Sequence, residues 1–84
     1  MKHLVDLAMM DRLDHLIRRH ATGTPHDLAR QLKISQTTLN EYISYMKKIL
    51  KAPIRYNAYI SSYIYEYIPD FYLGFEIDHT AITN

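Results

Sequence analysis

The side chains best suited to chemistry lie in one stretch, "TPHDLARQLKISQTTLNEYISYMKK", which runs from Thr24 to Lys48. Read as a helix from about residue 35, its outer faces offer Gln36, Thr37, Asn40, Glu41, Ser44, Lys47 and Lys48. These are amides, hydroxyls, a carboxylate and ammonium groups, which recognise a partner by hydrogen bonds and charge. Bond-making chemistry has no such stretch. No Gly-rich phosphate loop, nucleophile elbow or paired-carboxylate arrangement occurs, so an enzyme is not expected. Of the five histidines, His15 and His20 are five apart and do not share a helical face, and His3, His26 and His79 fall in other segments. Without cysteine no structural zinc spacing arises, and neither a metal nor another cofactor is expected.

Three predicted helices and a hairpin have to position that outer face. The first twenty residues read as a helix: Val5, Met9, Leu13, Leu16, Ile17 and His20 recur at helical spacing, with Asp6, Asp11, Asp14, Arg18 and Arg19 largely off the stripe. "ATGT" ends it, with Gly23 available for a positive φ. Thr24 then caps a second helix, Pro25 fits its first position, Asp27 suits the positive end of its dipole, and Leu28, Ala29 and Leu32 form its buried side. Ser35 caps the third helix, Ile34 and Leu39 are placed for a hydrophobic staple, and Leu39, Ile43, Met46 and Leu50 make its inner stripe before Pro53 stops it. From Ile54 the pattern turns to Tyr- and Ile-rich strands, expected at about 54–58 and 62–68 and joined through Tyr59–Ser61. "FYLGFEI" reads as a third strand.

Eighty-four residues are enough for one small domain. It is expected over residues 1–77, with 78–84 a short tail that frays. No signal peptide is recognisable and no apolar run approaches the roughly 20 residues that span a bilayer, so no membrane contact and a cytoplasmic location are expected. The charge is polarised. Residues 1–34 carry net +2, residues 35–56 carry +3 from Lys47, Lys48, Lys51 and Arg55 against Glu41, and residues 57–84 carry −4 without any Lys or Arg.

Two short helices joined by a three-residue turn, behind a supporting helix and ahead of a hairpin, make a winged helix-turn-helix pattern. Ala29 is small where the two helices must cross closely, and Ile34 and Leu39 close the core between them. The segments "TGTPHDLARQLKIS", "TTL", "APIRY", "SYIYE" and "LGF" resemble small bacterial winged helix domains. They are similar to the DNA-binding end of biotin-operon repressors and of deoxyribonucleoside-type repressors, from about Leu13 to Phe75. The resemblance implies an α+β fold, three helices followed by a two- or three-stranded antiparallel β-hairpin wing. It also implies a transcription regulator whose third helix, about 35–51, enters the major groove of double-stranded DNA. Carried over residue by residue, it makes Gln36, Thr37, Asn40, Glu41 and Ser44 the base-reading positions. Ser35 would hydrogen-bond a phosphate through its hydroxyl and backbone N–H, and Lys47, Lys48, Lys51 and Arg55 would attract the backbone.

The chain departs from the family pattern in four ways. Relatives usually place Arg or Lys at one or both of the positions held here by Gln36 and Glu41, and the wing tip "NAYISS" has no cation. Lys33 and Lys51 replace usual glycines; a φ > 0 at Lys33 would cost roughly 1 kcal/mol. A monomer with so few cations binds DNA weakly at physiological salt, so a homodimer is expected. Tyr59, Tyr63, Tyr65 and Tyr67, part of an aromatic surplus, are candidates for a protein interface. They support a second expectation: a protein-interaction module on a winged helix scaffold that has lost DNA contact and docks through its Tyr-rich hairpin.

Overall fold

A computed structural model describes residues 6–69. Three helices, α1 (Leu7–Arg18), α2 (Pro25–Leu32) and α3 (Gln36–Ile49), precede the strands β1 (Ile54–Asn57) and β2 (Ser62–Tyr65). The strands form a two-stranded antiparallel sheet. The expected third strand and the 78–84 tail lie outside the described residues. No helix among the described residues is long and apolar enough to cross a membrane.

Each helix start follows from a side chain that satisfies backbone N–H groups left without intrahelical partners. Asp6 caps α1, its Oδ1 accepting from the Ala8 and Met9 N–H at 3.0 and 3.3 Å. The helix expected across the first twenty residues is therefore held from Leu7, and residues 1–5 lie outside the described part. At α2, Thr24 and Asp27 form a reciprocal capping box and Pro25 follows the cap. Two hydrogen bonds from Thr24, first of its side chain and then of its backbone, hold the Asp27 carboxyl below the ordinary carboxylate range. At α3, Ser35 Oγ accepts from the Thr38 N–H at 3.0 Å.

The helix ends share an unusual solution: a residue in the left-handed region that is not glycine. His20 (φ 57°), Lys33 (φ 61°) and Lys51 (φ 57°) follow α1, α2 and α3. After α1 the His20 N–H donates to the Ile17 carbonyl and the Ala21 N–H to the Leu16 carbonyl. After α2 the Lys33 and Ile34 N–H donate to the Arg30 and Ala29 carbonyls. Both pairs are Schellman closures, which require the left-handed residue. His20, expected on the buried stripe, is instead exposed because it serves this closure. Gly23 also has positive φ (72°), and a Cβ there would meet Asp27 Cβ at 2.9 Å.

The core collects Met10, Leu13 and Ile17 from α1, Leu28, Ala29 and Leu32 from α2, Leu39, Ile43 and Met46 from α3, and Ala52, Ile54, Tyr63 and Tyr65 beyond. Ile34, half-buried, packs against this cluster that includes Leu39, as the staple requires. Both strands are shorter than expected, for local reasons. Asn57 Oδ1 accepts from the Tyr59 and Ile60 N–H at 2.8 and 3.4 Å, which turns the chain after β1. The Glu66 N–H donates to the Pro53 carbonyl at 2.8 Å in register with the ladder, but Pro53 has no N–H to return the bond, so the pairing ends there.

Two polar contacts fasten the hairpin to α1 and the loop behind it. Buried Asp14 accepts from Arg18 Nε at 3.0 Å and from the Tyr65 hydroxyl at 2.6 Å. Burial first, and then this bond to a carboxylate, push the Tyr65 phenol far above its ordinary range. Thr22 Oγ1 accepts from the Tyr63 N–H at 2.8 Å, and Ser62 Oγ accepts from the Thr22 N–H at 3.3 Å. The two hydroxyls also lie 3.1 Å apart. Each has one proton, and carbonyls at Gly23 and Tyr63 compete for it, so not all these bonds are donated at once.

Candidate nucleic-acid interface

Among the described residues, α3 turns one side to the core and exposes the other. At 3.6 residues per turn, Gln36, Lys47, Asn40, Ser44, Thr37, Lys48 and Glu41 fall within an arc of about 140°. All seven are exposed. Leu39, Ile43 and Met46 are buried on the opposite side, so the helix is held from behind by packing rather than by its exposed face. Thr37, Asn40, Glu41, Ser44 and Lys48 line an open depression of about 490 Å³ together with Tyr45 and Ile49. Neither Tyr45 nor Ile49 was expected at the site. Their i, i+4 spacing from Glu41 is the signal that would have placed them beside it.

The expected base-reading residues Gln36, Thr37, Asn40, Glu41 and Ser44 are thus brought together. Gln36 Nε2 also lies 3.4 Å from His26 Nδ1, a long contact that links the starts of α2 and α3. Lys47, Lys48 and Lys51 are exposed, with no ion-pair partner among the described residues. Lys47 and Lys48 occupy the last turn of α3, where cations complement the helix dipole.

Two of the expected backbone-contact residues have partners within the chain. The Ser35 hydroxyl donates to Thr38 Oγ1 at 3.1 Å while accepting from the Thr38 N–H, so its proton serves the cap. Arg55 Nε lies 3.0 Å from Glu66 Oε2, across the end of the hairpin. Both partners are about half exposed, so the pair is weak and can be exchanged for a phosphate.

The candidate interface of four tyrosines divides in half. Tyr63 and Tyr65 are buried at 9% and 7%, because residues two apart on β2 share the face that covers the helices. Tyr63 stacks edge-on against Tyr56, its cross-strand partner, at 5.3 Å between ring centroids. Burial, with a lesser effect of Tyr56, raises the Tyr63 phenol above its ordinary range. Neither ring is available to a partner. Tyr59 is fully exposed at the hairpin turn beside half-exposed Ile60, and Tyr67 stands exposed beyond the end of β2 with Ile68.

A second hollow, of about 200 Å³, lies between α1 and α2 and is lined by Asp11, Arg12, His15, Leu16 and Gln31. The His15 ring meets the Asp11 carbonyl at 2.8 Å, which accounts for its orientation. Among the described residues no three His, Asp or Glu side chains are grouped to hold a metal ion.

No family model, no curated protein and no solved structure matches the chain.

Proposed function

We propose that the chain is a winged helix-turn-helix that binds double-stranded DNA as a transcription regulator, with α3 in the major groove and a homodimer as the working form. The observation that carries this reading is the α3 face: an exposed set of amides and hydroxyls continuous with two lysines, on a helix fixed by its opposite side. Gln36 and Asn40 can pair bidentately with adenine, Thr37 and Ser44 can bond either a base edge or a phosphate, and Glu41 can accept from a cytosine amino group. Lys47, Lys48 and Lys51 attract the backbone without regard to sequence.

The test is a titration against random-sequence duplex DNA at about 50 and 200 mM salt. Neutralising six phosphates, three per protomer of the homodimer, implies a loss of about 1,800-fold across that range, and about 12-fold for Lys47→Ala/Lys48→Ala. Equal salt dependence in parent and variant would remove these lysines from the site. Gln36→Ala or Asn40→Ala should leave the salt slope alone and relax base preference by roughly 1–3 kcal/mol per good contact.

One observation favours a second reading, a protein-interaction module. Tyr59 is completely exposed at a turn with no cation near it in sequence, next to Ile60. On that reading Tyr59→Ser dissolves an oligomer while the fold survives, as read by light scattering and circular dichroism. A parent that is already monomeric would exclude the self-association form.

A further inference from the structure

The starts of α2 and α3 are each pinned by a cap, Thr24 with Asp27 and Ser35 with Thr38, and the left-handed turn at Lys33 stands between the two helices. That arrangement brings two exposed side chains together. Gln36 Nε2, on the first residue of α3, lies 3.4 Å from His26 Nδ1, on the second residue of α2. An amide nitrogen can only donate, so a bond here requires Nδ1 to be the bare nitrogen of a neutral imidazole whose proton is on Nε2. A charged imidazole carries a proton on both nitrogens and cannot accept. We propose that His26 is a positioning residue for base reading: its neutral ring holds the Gln36 amide in one orientation, and its protonation turns the amide over. This inference rests on the DNA reading of α3, in which Gln36 belongs to the base-reading set.

Orientation matters because a base edge meets a primary amide as an ordered pair of one acceptor and one donor. With one Nε2 proton given to His26, Oε1 and the second Nε2 proton remain as the pair that adenine meets through its N6 amino group and N7. With Nδ1 protonated, Oε1 turns to accept from it and Nε2 takes the place that Oε1 held. Acceptor and donor then exchange places. Oε1 faces N7 and Nε2 faces the N6 amino group, two repulsive contacts where there were two bonds. The groups around His26 are few among the described residues. On its own helix Asp27 is next to it and Arg30 one turn on, and Lys33 is the charge in the turn to α3. The first turn of α3, residues 36–39, has no titratable side chain. The Asp27 carboxylate accepts from the Thr24 N–H at 3.2 Å, and the Gln36 amide is what His26 meets across the turn.

The experiment has two readouts. The first follows the Gln36 side-chain amide and the His26 ring in spectra of the isotope-labelled full chain from pH 8 to pH 5, the interval in which imidazoles change charge. The Gln36 NH2 signals should move with the midpoint of the His26 ring signals. They should stay still in His26→Asn, whose amide oxygen takes the place of Nδ1 and accepts at every pH, while unmoved core amides report an intact fold. Gln36 signals that stay still in the parent, or that move with a different midpoint, would overturn the proposal. The second readout is selection from a randomised duplex library at pH 8 and pH 5.5, scored at the base position that Gln36→Ala relaxes. The preference of the parent for adenine there should fall about fivefold or more at the lower pH, and His26→Asn should keep it. No fall in the parent, or an equal fall in His26→Asn, would also overturn the proposal. The spectra need no DNA, which separates the two failures. A coupled Gln36 in a protein that selects no duplex sinks the DNA reading and the base-reading role together, whereas an uncoupled Gln36 in a protein that does select sinks this proposal alone.

Discussion

Lys33 stands in the turn between α2 and α3 with φ 61° and ψ 44°, its side chain exposed and without an ion-pair partner among the described residues. For a residue with a Cβ the left-handed region costs about 1–2 kcal/mol. Glycine removes that cost but returns about 0.4–1 kcal/mol by widening the unfolded ensemble. Lys33→Gly should therefore stabilise the chain by about 0.5–1 kcal/mol, a rise of roughly 3–6 °C in Tm for a domain of this size. The closure bonds from the Lys33 and Ile34 N–H to the Arg30 and Ala29 carbonyls are backbone bonds and survive the change. Lys33→Ala is the control, because it removes the same exposed chain and keeps the strain, so it should lie within about 0.5 kcal/mol of the parent. Urea denaturation of the three proteins, followed by far-ultraviolet circular dichroism, reads both differences with m unchanged. If glycine is no more stable than alanine, the turn is not left-handed at Lys33.

Asp14→Ala should cost about 2–3 kcal/mol, because the buried Tyr65 hydroxyl then loses its acceptor and Arg18 its carboxylate. Adding Tyr65→Phe should cost less than the sum of the single changes, and additivity in urea would refute the contact. The depressed Asp27 carboxyl contributes stability that is fully present above the ordinary carboxylate value and is lost as pH falls through the lower folded value. Thermal melts from pH 5 down to pH 2 should therefore show a steeper loss in the parent than in Asp27→Asn. Lys51→Gly should resemble Lys33→Gly in stability yet lower the DNA salt slope by about 0.9 per protomer, since Lys51 is both strained and on the proposed phosphate surface.

Much of the framework was legible from short-range chemistry. Thr24, Pro25 and Ser35 mark helix starts because a cap is decided within four residues, and the inner stripe of α3 is a matter of period. The strain at Lys33 was legible too, as a lysine where the turn calls for glycine, whereas at Lys51 the sequence showed only the replacement of a usual glycine. What escaped depends on partners far away in sequence. Asp14 looked like a surface residue of α1 and is buried, because Tyr65, 51 positions later, supplies a donor to it. Strand alternation predicts that the tyrosines divide between two faces, but not which set turns inward. Tyr63 and Tyr65 do so because Ser62 is pinned to Thr22 and fixes the register of β2 against the helices. The strand ends were misjudged because the Asn57 side chain takes the Tyr59 N–H into a turn, and Pro53, opposite Glu66, has no N–H to return its bond.

The small number of cations makes the DNA reading quantitative. Each neutralised phosphate adds about 0.9 to the dependence of log affinity on log salt, so three lysines from one protomer predict a slope near −2.7 and a symmetric pair one near −5.4. Arg55 adds to either value only if phosphate displaces Glu66, an exchange whose cost is small because the pair is exposed. Glu41 acts in the other direction: it stands on the same face and repels the backbone unless it meets a base donor in the groove. Glu41→Gln should therefore strengthen binding to random duplex and leave the slope unchanged, since no cation is added. A slope near −5.4 in the parent would make the homodimer the binding species, while one near −2.7 would leave each protomer to bind alone through the α3 face.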